Sequence, residues 1–197
     1  MAKHRIVDPT GFYHLCSRGN FGRTLYEESV HRQIFLRLYD RVTRDHGWIT
    51  LAYCLMTNHY HFVIRLTDDL LSKGMQQLNG GFSRRMNAIA GRTGAGHLFK
   101  NRFHSEPIER DAHLLEACRY TVLNPVRAGL CERAEEWEWS SYRACAGIEA
   151  PLRFLAVDDL LGLFGTQRDF SREVYFRFVL AGQVLWSDQG DGGVTKV

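Results

Sequence analysis

The amino-acid sequence predicts an α+β fold, in which helices pack on one face of a mostly antiparallel sheet. Residues 59–66 alternate strictly between apolar and other side chains, as expected for a half-buried strand. The apolar set of that stretch comprises Tyr60, Phe62, Ile64 and Leu66. Residues 28–46 instead repeat apolar side chains at helical spacing, which indicates an amphipathic helix. Short strands and helices of these two kinds follow one another along the chain, and that order gives the α+β class.

The first half of the chain contains two further predicted strands besides the alternating one. These strands are predicted at residues 12–16 and 48–56, and the helix at 28–46 lies between them. The first strand ends in the turn signal Ser-Arg-Gly-Asn at 17–20, and Gly47 is a suitable stop for the helix. Thr57 and Asn58 separate the strand at 48–56 from the alternating strand, so these two form either a hairpin or one bent strand.

The second half of the chain is mainly helical by pattern. Helices are predicted at residues 70–92, 111–123, 157–164 and 169–183. Gly80 and Gly81 interrupt the first of them, which predicts a kink, a break or a close backbone approach. Asp111 is a plausible N-cap for the next helix, and Pro125 limits its length. Residues 91–96 are predicted to form a loop, and residues 99–108 a strand or hairpin. The tail at 190–197 is predicted to be disordered.

Composition narrows the class of protein. The 197 residues, 45% of them apolar and 24% charged, are typical of a globular chain with one hydrophobic core. No apolar run approaches the roughly 20 residues that span a membrane, and the N-terminus leads into no apolar signal segment. We therefore expect a cytoplasmic protein with no membrane partner. The five scattered cysteines include no CxxC pair and are expected to be reduced thiols.

Basic residues are concentrated in the middle of the chain. The formal net charge is only +3, but residues 71–130 carry nine Lys or Arg against four Asp or Glu. Residues 131–197 carry seven basic residues against eleven acidic ones. A basic region favours a polyanion such as nucleic acid, although a solvated basic surface would give the same count.

Two histidines on the alternating strand suggest a metal site. Residues two apart on a strand point the same way, so His59 and His61 project together from the less apolar face. Two neutral imidazoles side by side are suited to binding a metal ion. Taken alone, such a pair would more often have a structural or surface role.

The helix at 111–123 carries a second group of polar side chains. Its apolar stripe comprises Leu114, Leu115, Cys118 and Val122. At about 100° per residue, the opposite face carries His113, Glu116, Tyr120 and Asn124. A solvent-facing helix surface is the simpler interpretation of this face. Only its combination with the histidine strand favours a functional site.

Five stretches of the chain together resemble one enzyme family. Residues 55–63, with the sequence LMTNHYHFV, resemble the HUH signature of single-tyrosine transposases. Residues 119–130, with the sequence RYTVLNPVRAGL, look like the catalytic-tyrosine helix of that family. Shorter agreements are Tyr13-His14 with SRGN at 17–20, LFKNRF at 98–103 and WSSY at 139–142. Over about residues 8–147, the set is most similar to the branch of REP-associated tyrosine transposases.

The resemblance implies a ferredoxin-like or RRM-like domain, an antiparallel sheet with helices packed on it, within residues 1–150. Residues 151–197 would be a helical C-terminal extension with a disordered tail. The implied reaction is metal-dependent cleavage and rejoining of single-stranded or hairpin DNA in transposition, through a 5′-phosphotyrosyl intermediate. It needs no nucleotide cofactor. A homodimer is also compatible with the family, because many relatives exchange the tyrosine helix while others keep it in place.

By the same resemblance, Tyr120 is the expected nucleophile, and His59 and His61 are the expected metal ligands. Asn124 occupies the position where many relatives place Gln, and it would supply an amide oxygen as a further ligand. Two imidazoles, an amide and a phosphate fit Mg²⁺ or Mn²⁺ better than a permanent Zn²⁺.

Further side chains are expected to assist or to bind DNA. Glu116 and His113 are auxiliary candidates, with Glu116 able to orient the metal or accept a proton. The expected DNA-binding residues are Arg18, Arg84, Arg85, Lys100, Arg102 and Arg127. Phe99 or Phe103 would be available for stacking on bases.

Two other functions remain as alternatives. A domesticated relative would keep the fold and bind nucleic acid without cleaving it, with binding sensitive to salt but not to metal. An unrelated metal hydrolase would use the histidines with Glu116 and would not need Tyr120. The complete set of His59, His61, Tyr120 and Asn124 favours the transposase, because an idle site has no physical need for all four.

Overall fold

The computed structural model describes residues 7–91, 97–109 and 111–187. Four strands form one antiparallel sheet: β1 Phe12–Arg18, β2 Ile49–Leu55, β3 His59–Arg65 and β4 His104–Ile108. Their order across the sheet is β2-β3-β1-β4, which places β3 and β1 in the centre. The α+β prediction is confirmed. The predicted tail at 190–197 and most of the predicted loop at 91–96 lie outside the described residues.

Six α-helices accompany the sheet in the described part of the chain. They are α1 Ser29–His46, α2 Leu71–Ile89, α3 Asp111–Arg127, α4 Tyr142–Cys145, α5 Val157–Gly162 and α6 Arg168–Ser187, with 3₁₀ turns at Asn20–Gly22 and Ala134–Glu136. α1 ends as predicted at Gly47, which adopts the left-handed conformation with φ 62°. α2 continues through Gly80 and Gly81, so the break considered for this pair does not occur.

The strands β2 and β3 form a hairpin, which decides between the two predicted alternatives. The Met56 amide donates to the His59 carbonyl oxygen at 2.9 Å and closes the turn. The pairing shifts register between Thr50 and Ala52 on β2, where one extra residue is accommodated. β4 is shorter than predicted, because Phe99 forms only an isolated bridge to Gly19 and regular pairing begins at His104.

α3 is longer than Pro125 was expected to allow. The helix runs to Arg127, and the Ala128 amide still donates to the Asn124 carbonyl oxygen at 2.9 Å. Proline removes one backbone donor, but packing of α3 against β2 and α6 supports the turn that follows it. The helix therefore extends beyond Asn124 and carries Arg127 on its last turn.

Helices cover both faces of the sheet, so the expectation of a single helical face is wrong. On one face, Tyr60 and Phe62 of β3 pack against Phe35 of α1, with ring centroids 4.9 and 6.3 Å apart. On the other face, His61 lies beside Tyr120 of α3. Because adjacent residues of a strand point in opposite directions, β3 presents its aromatic residues to one layer and its histidines to the other.

The C-terminal residues add to the same core. Trp139 and Ser141 form backbone hydrogen bonds with the outer edge of β2, and the Ala156 amide donates to the Thr50 carbonyl oxygen at 2.9 Å. Phe154 packs edge-on against Tyr39, and Tyr175 of α6 is fully buried. All five cysteines are free thiols. None of the helices described is long and apolar enough to cross a membrane.

Candidate active site

The histidines of β3 lie side by side, as the alternation predicts. The ring centroids of His59 and His61 are 4.9 Å apart. His61 is buried, with only 5% of its surface exposed, whereas His59 is half-buried at the end of the strand. Cys16 and Arg18 of β1 stand opposite them in the sheet. The sheet thus supplies a rigid support for both imidazoles.

His61 has a hydrogen-bond partner that the sequence analysis did not assign to the site. Its Nδ1 lies 2.9 Å from Nε2 of His14 on β1, and the two rings lie edge to edge, parallel to within 3° with centroids 5.1 Å apart. The other ring nitrogen of His61, Nε2, is buried without a partner among the described residues. In the sequence His14 belongs only to the Tyr13-His14 pair of the family resemblance. Its alternation with Cys16 on β1 places it on the same face of the sheet as His61.

His59 is oriented by its preceding residue. Its Nδ1 lies 2.8 Å from the Asn58 side-chain oxygen, and the Asn58 side-chain nitrogen donates to the Gly22 carbonyl oxygen at 3.1 Å. An amide oxygen can only accept, so Nδ1 of His59 carries the proton and Nε2 keeps its lone pair. Asn58 is therefore a second residue of the site that periodicity alone did not reveal.

Burial keeps the imidazoles of this site neutral near pH 7. Loss of solvation lowers the pKa of His59 to about 4, and the nearby Arg18 guanidinium acts in the same direction. Burial lowers the pKa of His61 well below its ordinary value, helped by His14 and His59. The pKa of His14 is also lowered by burial, against the opposing effect of Glu106. Neutral rings retain the lone pairs that a metal ion requires.

α3 brings Tyr120 beside these rings. The centroid of the Tyr120 ring is 5.8 Å from that of His61 and 6.0 Å from that of His14, edge-on in both cases. Tyr120 keeps 39% of its surface exposed, and the Arg127 guanidinium lies 4.5 Å from its ring centroid. The phenol is thus both adjacent to the histidines and open to solvent.

Asn124 lies one turn after Tyr120 and is buried. Its side-chain nitrogen donates to the Tyr120 carbonyl oxygen at 2.8 Å, which leaves the side-chain oxygen outside that bond. Within the described ranges, no group of three or more His, Cys, Asp or Glu side chains is arranged to hold a metal ion. The two imidazoles, including the buried Nε2 of His61 that has no partner among the described residues, and the Asn124 amide oxygen nevertheless suit a divalent cation that completes its shell with substrate oxygens.

A cleft of about 540 Å³ opens beside Tyr120. It is lined by residues of β1, β4, α3 and α6, including His14, Glu106, His113, Glu116, Tyr120, Arg127 and Gly182. Glu116, an auxiliary candidate, forms an ion pair with Arg119 at 2.6 Å. Arg119 in turn lies over the Phe178 ring of α6, 4.4 Å from its centroid. His113, the other auxiliary candidate, is exposed on the rim of the cleft.

The expected DNA-binding residues fall into three places. Arg18 is exposed opposite His59, and Arg127 is exposed beside Tyr120. Arg84, Lys100 and Arg102 line a second groove of about 760 Å³ between α2 and residues 97–103. Arg85 is exposed next to that groove in sequence but is not among the residues that line it.

Phe99 and Phe103, expected to be available for stacking on bases, are largely buried although both line the groove beside α2, so their stacking stays a prediction. Each has only 7% of its surface exposed, and Phe99 packs against Tyr60 and Phe82 of the core. A mixture of aromatic and basic residues along the sequence does not reveal which rings are buried. In this segment the rings fill the core and the cations remain outside.

Comparison with known proteins assigns the chain to a family. The sequence model of the IS200-like transposases matches residues 11–122, so the chain belongs to this family of HUH-type single-tyrosine transposases. The match includes both histidines of β3 and the Tyr120 position of α3. No curated protein sequence shows significant similarity to the chain.

One solved structure is similar in fold, and a second matches more weakly. One is a REP-associated tyrosine transposase bound to a REP hairpin, with a TM-score of 0.64 and 17% identity, covering 80% of this chain and 90% of that one. The other, a transposase structure from Deinococcus radiodurans, has a TM-score of 0.43 and 16% identity and covers 57% of this chain and 89% of that one. The fold and the family together identify the chain as a DNA transposase.

Proposed function

We propose that this transposase cleaves and rejoins single-stranded or hairpin DNA through a 5′-phosphotyrosyl intermediate formed on Tyr120. His59, His61 and Asn124 would hold a divalent cation, Mg²⁺ or Mn²⁺. The observation that carries the proposal is the approach of two elements far apart in sequence. The Tyr120 ring of α3 lies 5.8 Å from the ring of His61 on β3, and the buried Nε2 of His61 has no hydrogen-bond partner among the described residues.

The bond changes of the proposed reaction balance without an external energy source. The Tyr120 hydroxyl oxygen forms a bond to phosphorus, and the bond from phosphorus to the 3′ oxygen of the preceding nucleotide breaks. The phenol loses a proton and the departing 3′ oxygen takes one up, so a free 3′-hydroxyl remains. The phosphodiester is exchanged rather than hydrolysed, and a second 3′-hydroxyl can reverse the step.

The residues around Tyr120 have separate tasks in this scheme. Arg127 lies over the Tyr120 ring and restricts its orientation, since a guanidinium is attracted to the face of an aromatic ring. His14 and Asn58 hold the rings of His61 and His59 through one hydrogen bond each. A bound Mg²⁺ or Mn²⁺ would polarise the scissile phosphate and offset the negative charge that develops on its oxygens.

The distribution of basic side chains supports a nucleic-acid substrate. Arg84, Lys100 and Arg102 border the groove beside α2, and Arg18 and Arg127 lie at the proposed catalytic centre. Phosphate contacts of this kind position a strand without reading its sequence. A hairpin is the favoured form of substrate because the similar structure is that of a protein bound to a REP hairpin.

The proposal takes all the groups of the site from one chain. Tyr120 lies beside His61 of the same molecule, which supports a scheme without exchange of α3 between two copies. A homodimer would then serve to hold two DNA ends rather than to complete either site.

The test is capture of the covalent adduct. The protein is incubated with Mn²⁺ and hairpin oligonucleotides that have single-stranded flanks, labelled at either the 5′ or the 3′ end, and then denatured. A 5′-phosphotyrosyl link predicts that the 3′ label migrates with the protein and that the 5′ label is released on a fragment ending in a 3′-hydroxyl. Tyr120→Phe should give no adduct.

A matched control is Tyr26→Phe, because the Tyr26 hydroxyl is buried without a hydrogen-bond partner among the described residues. This variant should form the adduct as the wild type does. Binding of DNA without any adduct in the wild type would instead indicate a non-cleaving binding protein. Multiple turnover that persists in Tyr120→Phe would indicate a metal hydrolase.

A further inference from the structure

Phe21 has an unusual position at the edge of the proposed active site. It lies in the 3₁₀ turn Asn20–Gly22 that follows β1, and 97% of its surface is exposed. Its backbone is in the left-handed region, with φ 53° and ψ 29°. It is the one residue other than glycine with a positive φ in the described part of the chain.

Both properties are unfavourable for a phenylalanine. A bulky side chain in the left-handed region is a steric outlier, whereas Asn or Gly would adopt the same backbone more easily. Full exposure also leaves the ring without the burial that normally stabilises a phenylalanine. The folded free protein therefore gains nothing evident from a ring at this position, and such an outlier points to a functional use.

The turn that carries Phe21 is held firmly on both sides. A Cβ atom on Gly19 would overlap the Arg23 carbonyl oxygen, so only glycine permits this closure. The Arg23 amide donates to the Asn20 carbonyl oxygen at 3.0 Å, and the Asn20 amide donates to the Leu98 carbonyl oxygen at 2.8 Å. The ring is thus presented from a fixed support rather than from a loose loop.

The turn is also connected directly to the histidine strand. Gly22, next to Phe21, accepts a hydrogen bond from the Asn58 side-chain nitrogen at 3.1 Å, and the Asn58 side-chain oxygen accepts one from His59 at 2.8 Å. Arg18 and Arg23, on either side of the turn, are exposed. An exposed ring that lies between two arginines in the sequence, on a turn linked through Asn58 to a proposed metal ligand, matches the chemistry of a single-stranded nucleic-acid contact.

We propose that Phe21 is a stacking platform for an unpaired base of the DNA substrate, next to the cleavage site. The inference rests on the proposed function and names the residue that would hold the single strand. An unpaired base has a free face to stack on a ring, whereas each base inside a duplex is already stacked on both sides. Arg18 and Arg23 would contact the phosphates on either side of that base.

The experiment measures DNA affinity as a function of salt for four variants of the full chain, namely Phe21→Asn, Phe21→Tyr, Phe170→Asn and Arg23→Gln. Phe21→Asn removes the ring but suits the left-handed backbone, and Phe21→Tyr keeps the ring. Phe170→Asn is the control, because Phe170 is also well exposed, at 59%, but belongs to α6 rather than to the turn that is linked to Asn58. The probes are a single strand and a hairpin with single-stranded flanks, each carrying 2-aminopurine, and a blunt duplex.

We expect Phe21→Asn to bind the single strand and the flanked hairpin roughly 5- to 100-fold more weakly, and to lose quenching of 2-aminopurine. Its slope of log affinity against log salt should match that of the wild type, because no phosphate contact is lost. Phe21→Tyr and Phe170→Asn should bind normally, and binding to the duplex should not change. Arg23→Gln should instead reduce the slope by about one.

The inference is overturned if Phe21→Asn binds the single strand as tightly as the wild type, or if it weakens duplex binding equally. It is also overturned if the substitution changes the sedimentation of the free protein and leaves DNA affinity unaltered, which would assign the ring to contact with a second copy. Failure of the wild type to bind any of the DNA probes would overturn the proposed function itself, and this inference with it.

Discussion

The pairing of His14 with His61 determines which nitrogen of His61 can act as a ligand. If the Nδ1–H of His61 donates to Nε2 of His14 at 2.9 Å, the lone pair of His61 lies on Nε2, for which the described part of the chain offers no partner. Hydrogen-bonded partners of this kind fix the ring orientation and raise the basicity of a ligand. The metal affinity should therefore depend on a residue that does not touch the metal.

Substitution of His14 by Ala is expected to weaken Mn²⁺ binding by about 10- to 100-fold. His14→Gln, which retains a hydrogen-bond acceptor, should recover part of the loss. Calorimetry or Mn²⁺ electron paramagnetic resonance on the DNA-free protein measures the affinity directly, and thermal unfolding checks that the fold is intact. Equal Mn²⁺ affinity of the wild type and His14→Ala would remove His14 from the site.

Neutral buried histidines make the stability of the protein sensitive to acid. The ordinary pKa of histidine is 6.5, and that of His59 is lowered to about 4 in the folded chain. As the pH falls below 6.5 the unfolded chain takes up the proton first, so the free energy of unfolding decreases until the folded form also protonates near pH 4.

We expect the free energy of unfolding to fall between pH 6.5 and about 4, with each such histidine contributing at most about 1.4 kcal/mol per pH unit. Urea unfolding at a series of pH values measures this slope. His59→Gln removes one titrating group and should give a shallower dependence. An unchanged slope in that variant would mean that His59 is solvated in the folded protein.

The residues of the site differ in how far a single sequence reveals them. His59 and His61, and likewise Tyr120 and Asn124, share a face within one element, so local periodicity is enough to group each pair. His14 becomes a neighbour of His61 only through the pairing of β1 with β3, and one strand read alone does not specify its partner's register.

Glycine is required by packing at one position of the helix α2 and is replaceable at another. A Cβ atom on Gly74 would overlap the Trp48 ring, whereas one on Gly81 would meet Leu38 at 3.9 Å, an ordinary contact. The sequence drew attention to the Gly80-Gly81 pair, which the helix tolerates without interruption. The glycine that packing requires is the earlier, isolated one.

Gly74→Ala is expected to destabilise the protein by about 1–3 kcal/mol, because Trp48 must shift to admit the methyl group. Gly81→Ala should stabilise it by about 0.5–1 kcal/mol, because alanine has the higher helix propensity and meets no obstacle. Chemical denaturation of the two variants compares them directly. A stabilising Gly74→Ala would contradict the close packing of α2 on Trp48.

The elements themselves were largely predictable, and their mutual arrangement was not. Alternation and helical spacing located β3 and α1 almost to the residue, because each pattern lies within one continuous stretch. The ends of α3 and β4 depend on what packs beside them, which explains the misjudged effect of Pro125. The presence of helices on both faces follows from long-range contacts between α3 and the sheet, which no local pattern contains.

The described residues before and after position 150 contribute to one hydrophobic core. The division into two domains at residue 150 stays a prediction. Residues beyond that point supply Phe154, Leu155 and Tyr175 to the same buried cluster as Tyr39 and Phe62. α6 also lies on α3, where Arg119 contacts the Phe178 ring. The segment after residue 150 therefore supports α3, the helix that carries the proposed nucleophile Tyr120.

Truncation after residue 150 is expected to abolish cooperative unfolding, because Tyr39 and Tyr53 lose Phe154 and α3 loses its cover. Truncation after residue 187 removes only chain beyond α6 and is the matched control, expected to unfold like the full protein. Circular dichroism during urea titration measures both. A cooperative transition in the shorter form at the same urea midpoint would show that residues 1–150 fold independently.

The alternation along β3 places the proposed metal ligands and the aromatic core residues on neighbouring positions of one strand. It therefore restricts which mutations can inactivate the protein without unfolding it. His59 and His61 face one layer, whereas Tyr60 and Phe62 face the other, so insertion or deletion of a single codon there would exchange the two sets of side chains. Unless a bulge absorbed the change, as happens to the extra residue of β2 between Thr50 and Ala52, such a lesion would disturb the core together with the site. Loss of activity with retention of the fold would therefore arise more readily by substitution.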